Sequence, residues 1–553
     1  MPTVSGALRA LFVCVLLVQA CSAVGAAGVV DAAGAVGAAN APAATPPANE
    51  ASTTSSARIV GVYPNPVARE DVGEFVVVRV DGAANLTLSD GEDTFSLPTA
   101  SGRVVLSSDP AATRNATTLP VFRADLSLSN AGERLVLARN GTVVHDVRYE
   151  DAPEGERLNV STGRWTPLGL RLREAVATGP ADATAFVLPD APGVPVETLR
   201  SADDRLLLAG YTFSSDRVAD ALVAAHRRGV RVRVLVEGSP VGGASTRQAE
   251  MLDRLVDEGI PVAVVAGPRA RFSYHHAKYA VADDSAVVLT ENWKPSGTGG
   301  RDSRGWGVRV DSARTADELA SMFAADASGR GVVRWESYRT GREFVADAPP
   351  DATYPERFAP ESVRATEVRV LTTPGNAGEE VIRRVDGAEE RIAVVTPRID
   401  PDGRFFAALV RAAERGVEVH LLLSNAWYDE ESNRAVVARA RELNESGLPI
   451  RSRIARPSGD FGKVHAKGAV VDGEYAVVGS LNWNDHAATE NREVVLELAG
   501  EEPAAYYLRV FDADWRAAGG EGREETPWLL VAGALASATL AGVVLKKVVR
   551  FEG

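Results

Sequence analysis

Two segments of this chain repeat one plan, and that duplication limits its fold more than any other feature. DRVADALVAAHRRGVRVRVLVEG (216–238) and GRFFAALVRAAERGVEVHLLLSN (403–425) each read as an amphipathic helix, a glycine and a β-branched strand. Apolar residues recurring three and four positions apart predict the helices. Gly229 and Gly416, about 187 positions apart, sit where a helix ends in a left-handed residue. The helix–strand alternation predicts α/β layers around a mainly parallel sheet, built twice.

A second pair of segments stays in register with the first. YHHAKYAVADD (274–284) is matched by VHAKGAVVD (464–472), with His276 and His465 about 189 positions apart. Each copy places Lys two residues after His and Asp five after Lys: His276, Lys278 and Asp283, then His465, Lys467 and Asp472. Each continues into a valine-rich run and an Asn-Trp pair, AVVLTENW (286–293) and AVVGSLNW (476–483). On a strand, residues i and i+2 share a face, so His and Lys project into one site. A single such triad reads as a solvated strand edge, whereas two in register inside a duplication read as machinery. Lysine usage points the same way: the chain has 60 basic residues, only six of them lysines, and two of the six stand in these triads.

These are the HxKxxxxD repeats of the phospholipase D superfamily, which the chain resembles over about residues 190–518, including the trailing Gly479, Ser480 and Asn482. The resemblance implies two α/β halves, with mixed or parallel sheets flanked by helices, related by a pseudo-twofold axis with one composite site at their seam. It implies a phosphodiesterase in which Lys278, Lys467, Asn292 and Asn482 grip the phosphate oxygens, helped by the hydroxyls of Thr290 and Ser480. His276 would attack phosphorus, His465 would act as acid and base, and Asp283 and Asp472 would orient the imidazoles. Glu493 matches an acid that supports a histidine. No metal and no cofactor is implied. The first copy departs from the pattern: Glu291 brings a negative charge that would repel phosphate unless it points away, and RGWGV (304–308) offers no counterpart of Glu493. The first half is therefore expected to be the less well supported. His275, on the opposite strand face from His276, reads as a packing residue.

The implied partner is a phosphodiester, with two main substrate readings. One is a phospholipid whose head group is cleaved or exchanged. The alternative is the DNA or RNA backbone cut by a secreted nuclease, tracked by Arg451, Arg453, Arg456 and Lys463. A non-catalytic adhesion protein is a third reading, which the two intact triads disfavour. The net charge of −14 argues against a protein that coats nucleic acid generally.

The flanking sequence predicts the remaining architecture. MPTVSGALRALFVCVLLVQACSA reads as a signal peptide within 1–24, cleaved among the alanines or before Cys21. Cys14 and Cys21 are the only cysteines, so no thiolate chemistry lies beyond them. Residues 25–56 read as an Ala/Gly/Pro linker. Residues 57–151 alternate short β-rich runs with turn residues, which predicts an all-β sandwich. VGVYPNPVAREDVGEFVVV and LSNAGERLVLARNGTVVHDVRYED resemble the lamin-tail family, an immunoglobulin-like fold of unknown ligand here. A linker over 152–189 would lead to one catalytic half (190–345), and a linker over 346–364 to the other (365–518). The run WLLVAGALASATLAGVVL (528–545), followed by Lys546 and Lys547, predicts a transmembrane helix about 27 Å long. With the signal peptide, that run predicts a cell-membrane protein, single-pass near its C-terminus, with its catalytic domains outside the cell.

Overall fold

The computed structural model describes residues 57–519, apart from 83, 171, 268, 269 and 458. The expected signal peptide, the 25–56 linker and the 528–545 span lie outside the described residues. Among the described residues no helix is long and apolar enough to cross a membrane. The expectations of a C-terminal transmembrane helix and of an extracellular placement anchored by it are corrected accordingly.

The N-terminal region is a two-sheet sandwich. One sheet runs Arg164–Pro167, Glu156–Asn159, Arg58–Tyr63, Phe75–Asp81, Ser101–Ser107 and Val121–Arg123; the other runs Thr94–Ser96, Leu86–Ser89, Gly132–Arg139 and Thr142–Glu150. Alternation builds the core: Leu86 and Leu88 point inward, while Thr87 and Ser89 are half-buried. They meet Val76, Val78, Val104, Leu135 and Leu137. Residues 152–189 are not a linker, because they supply two sandwich strands and then the long strand Val176–Leu188. That strand was hidden by its own composition. VATGPADATAFVL contains Gly179 and Pro180, and its register shifts on both sides of Gly179.

Beyond it the duplication is explicit. One sheet crosses both halves, joined where Val176–Leu188 pairs antiparallel with Glu361–Thr373. Outward from that seam the halves mirror each other. In the first half come Ser303–Asp311, Ser285–Leu289, Tyr279–Ala282, Arg205–Gly210, Arg231–Glu237 and Val262–Val265. In the second come Glu493–Ala499, Tyr475–Gly479, Gly468–Val471, Arg391–Thr396, Glu418–Leu423 and Ile450–Ile454. Along this path only the last three strands of each half pair in parallel; off it, Ser303 and Arg304 pair in parallel with Lys463 and Val464, and Val332–Arg334 adds an antiparallel edge to the first half. The expected mainly parallel sheet fails because the motif strands follow one another through tight turns, which only antiparallel pairing accommodates. Helices Asp216–Arg227 and Arg404–Glu414 bury their apolar faces against the outer strands, and Gly229 and Gly416 follow them at φ +97° and +94°. Helices Ala313–Asp326 and Glu501–Gly519 pack Leu319, Phe323, Tyr507 and Phe511 into the cluster that spans the seam.

Candidate active site

Both histidine segments are extended chain just before their strands, and each is docked onto the opposite half. The His276 N–H donates to the Arg492 carbonyl at 2.9 Å, and the His465 N–H donates to the Arg304 carbonyl at 2.9 Å. The two arginines are themselves buried and ion-paired, Arg492 to Asp326 and Arg304 to Asp190 and Asp514. The sites are thus exchanged across the seam, and neither half completes its own histidine.

The exchange extends to the side chains. Glu493, in the second half, holds Nδ1 of His276 with both carboxylate oxygens at 2.9 Å. Glu291, in the first half, holds Nδ1 of His465 at 3.2 Å. Both carboxylates are buried, which alone would raise their pKa. The histidine beside each and the adjacent lysines outweigh burial and hold both below the usual carboxylate range. A carboxylate on Nδ1 fixes the tautomer that leaves Nε2 free to react. Glu291 therefore does not repel substrate as its sequence suggests, because it is spent on His465.

The lysines lie between the histidines. Lys278 Nζ donates to the His276 carbonyl at 2.5 Å and lies 5.2 Å from the ring centre of Tyr211, which packs edge-on to His276. Lys467 Nζ donates to the His465 carbonyl at 2.7 Å and lies within 3.1 Å of its ring. Burial brings His276 down to about 4, with Glu493 opposing and Lys278 reinforcing the fall. Burial and then Lys467 bring His465 to about 3, with Glu291 opposing. Burial lowers Lys467 to about 8 and holds Lys278 well below its ordinary value. Two buried lysines beside two imidazoles make a pocket in which an anion would restore the charged forms that burial disfavours.

Other expected residues take different positions. Asp283 and Asp472 do not touch the imidazoles. Asp283 accepts the backbone N–H groups of Asp203, Asp204 and Arg205 at 2.7–3.0 Å, and Asp472 accepts those of Glu389, Glu390 and Arg391 at 2.8–3.0 Å. Both aspartates are left-handed, at φ +51° and +53°, a conformation aspartate tolerates better than most residues. They clamp the turns that enter the neighbouring strands. Thr290 and Ser480 brace the neighbouring strands: their hydroxyls accept the N–H of Trp306 at 2.9 Å and of Val494 at 3.0 Å. Asn292 is buried with its amide oxygen unpartnered among the described residues, and Asn482 is half-buried. Buried His275 is a packing residue, its N–H held by Glu237 at 2.7 Å. Among the described residues no cluster suited to a metal occurs.

Sequence reasoning missed Glu291, although a signal existed. Gly305 stands at the position of Glu493, and Leu481 at the position of Glu291. A side chain on Gly305 would overlap Glu291. The acid has moved from strand to loop, and glycine makes room for it.

This geometry defines a duplicated phosphate-handling enzyme with one composite site. Residues 196–327 and 381–515 match the family model described as "Cardiolipin synthase, PLD-like domain". The chain is an enzyme of the phospholipase D superfamily, a superfamily of phosphodiesterases and transferases. It is 27% identical over 293 residues to cardiolipin synthase A of Erwinia tasmaniensis, covering 51% of this chain and 57% of that one. It is 27% identical over 309 residues to cardiolipin synthase A of Yersinia pseudotuberculosis, covering 54% and 60%. The matched region thus spans less than two thirds of these curated relatives. Phosphatidylserine synthase of Haemophilus influenzae aligns with 65% of this chain and 94% of its own, at 13% identity and a TM-score of 0.47.

Proposed function

We propose that the protein is a phospholipid-modifying phosphodiesterase that cleaves or exchanges head groups through a phospho-histidine. The observation that carries this reading is the cross-paired site: two histidines, each held by a carboxylate of the other half, flank two buried lysines. His276, neutral above about pH 4, uses the Nε2 lone pair on phosphorus. As that P–N bond forms, the ester P–O bond breaks, and protonated His465 gives its proton to the departing oxygen. The substrate's negative charge offsets Lys467, the neighbour that most depresses His465, and so favours the protonated histidine. In the second step an incoming hydroxyl returns its proton to His465, its oxygen bonds phosphorus, and His276 leaves. Lys278, Lys467, Asn292 and Asn482 steady the non-bridging oxygens.

A lipid substrate is favoured by the relatives, which carry the name cardiolipin synthase, and by the rim of the site. The N–H of exposed Val241 donates to the Tyr211 hydroxyl at 2.6 Å, and exposed Val345 pairs with the loop that carries Val241. On the opposite side stand exposed Trp427 and Tyr428, the latter 5.7 Å from Lys463. Valines cannot stack on bases, but they suit an acyl surface. Of the basic track expected for a nuclease, Arg453 is engaged within the fold: it donates to the Trp515 carbonyl at 2.8 Å and lies over its ring. The sandwich, with its lamin-tail resemblance, is proposed as an accessory module. Arg330 of the first half reaches its Gly155 carbonyl at 3.2 Å.

The test is head-group release from phosphatidylglycerol and phosphatidylcholine vesicles, with plasmid DNA in parallel and peptide mapping of the trapped, alkali-stable and acid-labile phospho-histidine. Release by the wild type, its loss in His465→Ala and label on His276 are expected. DNA cleavage without lipid turnover sinks the reading.

A further inference from the structure

One face of the sandwich carries an unbalanced row of charge. In its six-stranded sheet Ile59, Val78 and Val104 point into the core, so Arg58, Arg79 and Arg103 point outward. The three are direct cross-strand partners, Arg58 opposite Arg79 and Arg79 opposite Arg103, and all are exposed. Arg157, on the next strand, lays its stem across Gly61, with Cδ 3.5 Å from where a side chain on that glycine would begin. Arg58, Arg103 and Arg157 wall a cavity of about 430 Å³ over Gly61 and Val77.

Among the described residues no hydrogen bond or ion pair holds any of these four guanidinium groups, although carboxylates are plentiful in a chain of net charge −14. The other sheet also sets two arginines opposite each other, Arg134 and Arg148, but gives each a carboxylate: Asp146 at 2.9 Å and Glu150 at 3.5 Å. Like charges directly opposite across a strand pair, with side chains about 5 Å apart, oppose folding. Partial burial and then the charge of Arg103 push the Arg157 pKa below its ordinary value. An external anion relieves such a row. The apolar part of the same face, Tyr63, Phe75, Val77 and Val105, is already covered by Leu119, Val121 and Leu168, so charge is what this surface offers.

We infer that this face docks the protein onto an anionic phospholipid surface, with Arg58, Arg79, Arg103 and Arg157 taking up head-group phosphates. The choice of anion rests on the phospholipid reading; the basic surface itself does not. Guanidinium groups match phosphate oxygens in pairs, and a row of them across adjacent strands presents one charged plane. No Phe, Tyr or Trp stands in the cavity wall to stack on a base, which disfavours single-stranded nucleic acid. Each basic residue close to an anionic lipid surface strengthens binding about fivefold, so four turn a weak encounter into a lasting one. Asn159 borders both this cavity and the cleft between the sandwich and the catalytic halves, so the docking face adjoins the catalytic side of the sandwich.

The test is co-sedimentation of the full chain with vesicles, in a His465→Ala background so that turnover does not alter the lipid. The vesicles are phosphatidylcholine alone or phosphatidylcholine mixed with phosphatidylglycerol. Binding should require phosphatidylglycerol and weaken as salt rises. R58Q/R79Q/R103Q should weaken it about 100-fold, and R58K/R79K/R103K should keep most of it. The glutamine triple should unfold no earlier than its parent, because it removes repulsion and breaks no bond. With His465 restored, it should keep turnover of a soluble short-chain phospholipid and lose most turnover of the mixed vesicles. Equal binding by parent and glutamine triple, or equal binding to both vesicle types, overturns the docking surface and leaves the phospholipid reading standing. Arginine-dependent binding to plasmid DNA, with none to vesicles, overturns it in favour of a nucleic-acid surface. Absence of head-group turnover by the wild type overturns the phospholipid reading instead, and arginine-dependent vesicle binding would still support the surface.

Discussion

The two halves of the catalytic region keep one geometry while disagreeing in sequence at the residue that supports the chemistry. In the second half the carboxylate rides on a strand, as Glu493, and the loop before it has Leu481. In the first half the loop supplies Glu291, and the strand has Gly305. Each carboxylate serves the other half's histidine. What the duplication has kept is a buried anion within hydrogen-bond reach of each Nδ1, not a residue at a given alignment position. A carboxylate can be delivered from either side of a packed seam, provided that the displaced position becomes small enough.

The largest effects should come from the histidines, and they should break the symmetry. His276→Ala and His465→Ala should each lower kcat by about 10⁴-fold or more. Only His465→Ala should still accumulate label on protein after rapid quench with a substrate whose leaving group needs no protonation. Label persisting in His276→Ala, and vanishing in His465→Ala, would exchange their roles.

The acids come next. Glu291→Gln and Glu493→Gln should each cost about 10–100-fold in kcat, as expected for a group that orients and stabilises an imidazole. Their pH profiles should differ. The wild type should lose activity as pH falls through about 4, where His276 takes up a proton, and as pH rises through about 8, where Lys467 loses one. Glu493 raises His276, so Glu493→Gln should carry the acid limb to lower pH. Glu291 is the strongest influence raising Lys467, so Glu291→Gln should carry the alkaline limb to lower pH, further than Glu493→Gln does. Moving the acid in the pair E291L/G305E, which copies the second half, should recover about tenfold of the activity lost in Glu291→Leu. If the double variant is no better than the single, the two delivery routes are not equivalent.

These differences mark where sequence was a sufficient guide and where it was not. The duplication, the helix ends at Gly229 and Gly416, and the pairing of His276 and Lys278 with His465 and Lys467 could all be read because each depends on local periodicity or an internal copy. The strand Val176–Leu188 could not, since glycine, proline and alanine mask a strand whose apolar character comes from the sheet around it. Glu291 could not either, because its meaning depends on Gly305, fourteen residues later, and on His465 in the other half. Sequence presented an isolated charge near a phosphate site, and tertiary packing made it a partner.

The smallest effect on turnover should come from the aspartates, although they complete the sequence motif. Asp283 and Asp472 each accept three backbone N–H groups and reach no imidazole. Asp283→Asn and Asp472→Asn should therefore leave kcat within about twofold while lowering unfolding free energy by about 1–2 kcal/mol, read from denaturant midpoints. Burial would raise the Asp283 carboxyl, but its backbone bonds hold it below the ordinary value. A carboxylate depressed in the folded state stabilises above its unfolded pKa, and that stability is lost as pH falls through the folded one. The gap between wild type and Asp283→Asn should accordingly be full at neutral pH and close in acid below the ordinary carboxylate range. A collapse of kcat in either variant, with stability intact, would return the aspartates to the chemistry. It would also mean that the carboxylates on Nδ1, Glu291 and Glu493, are not sufficient to hold the histidines.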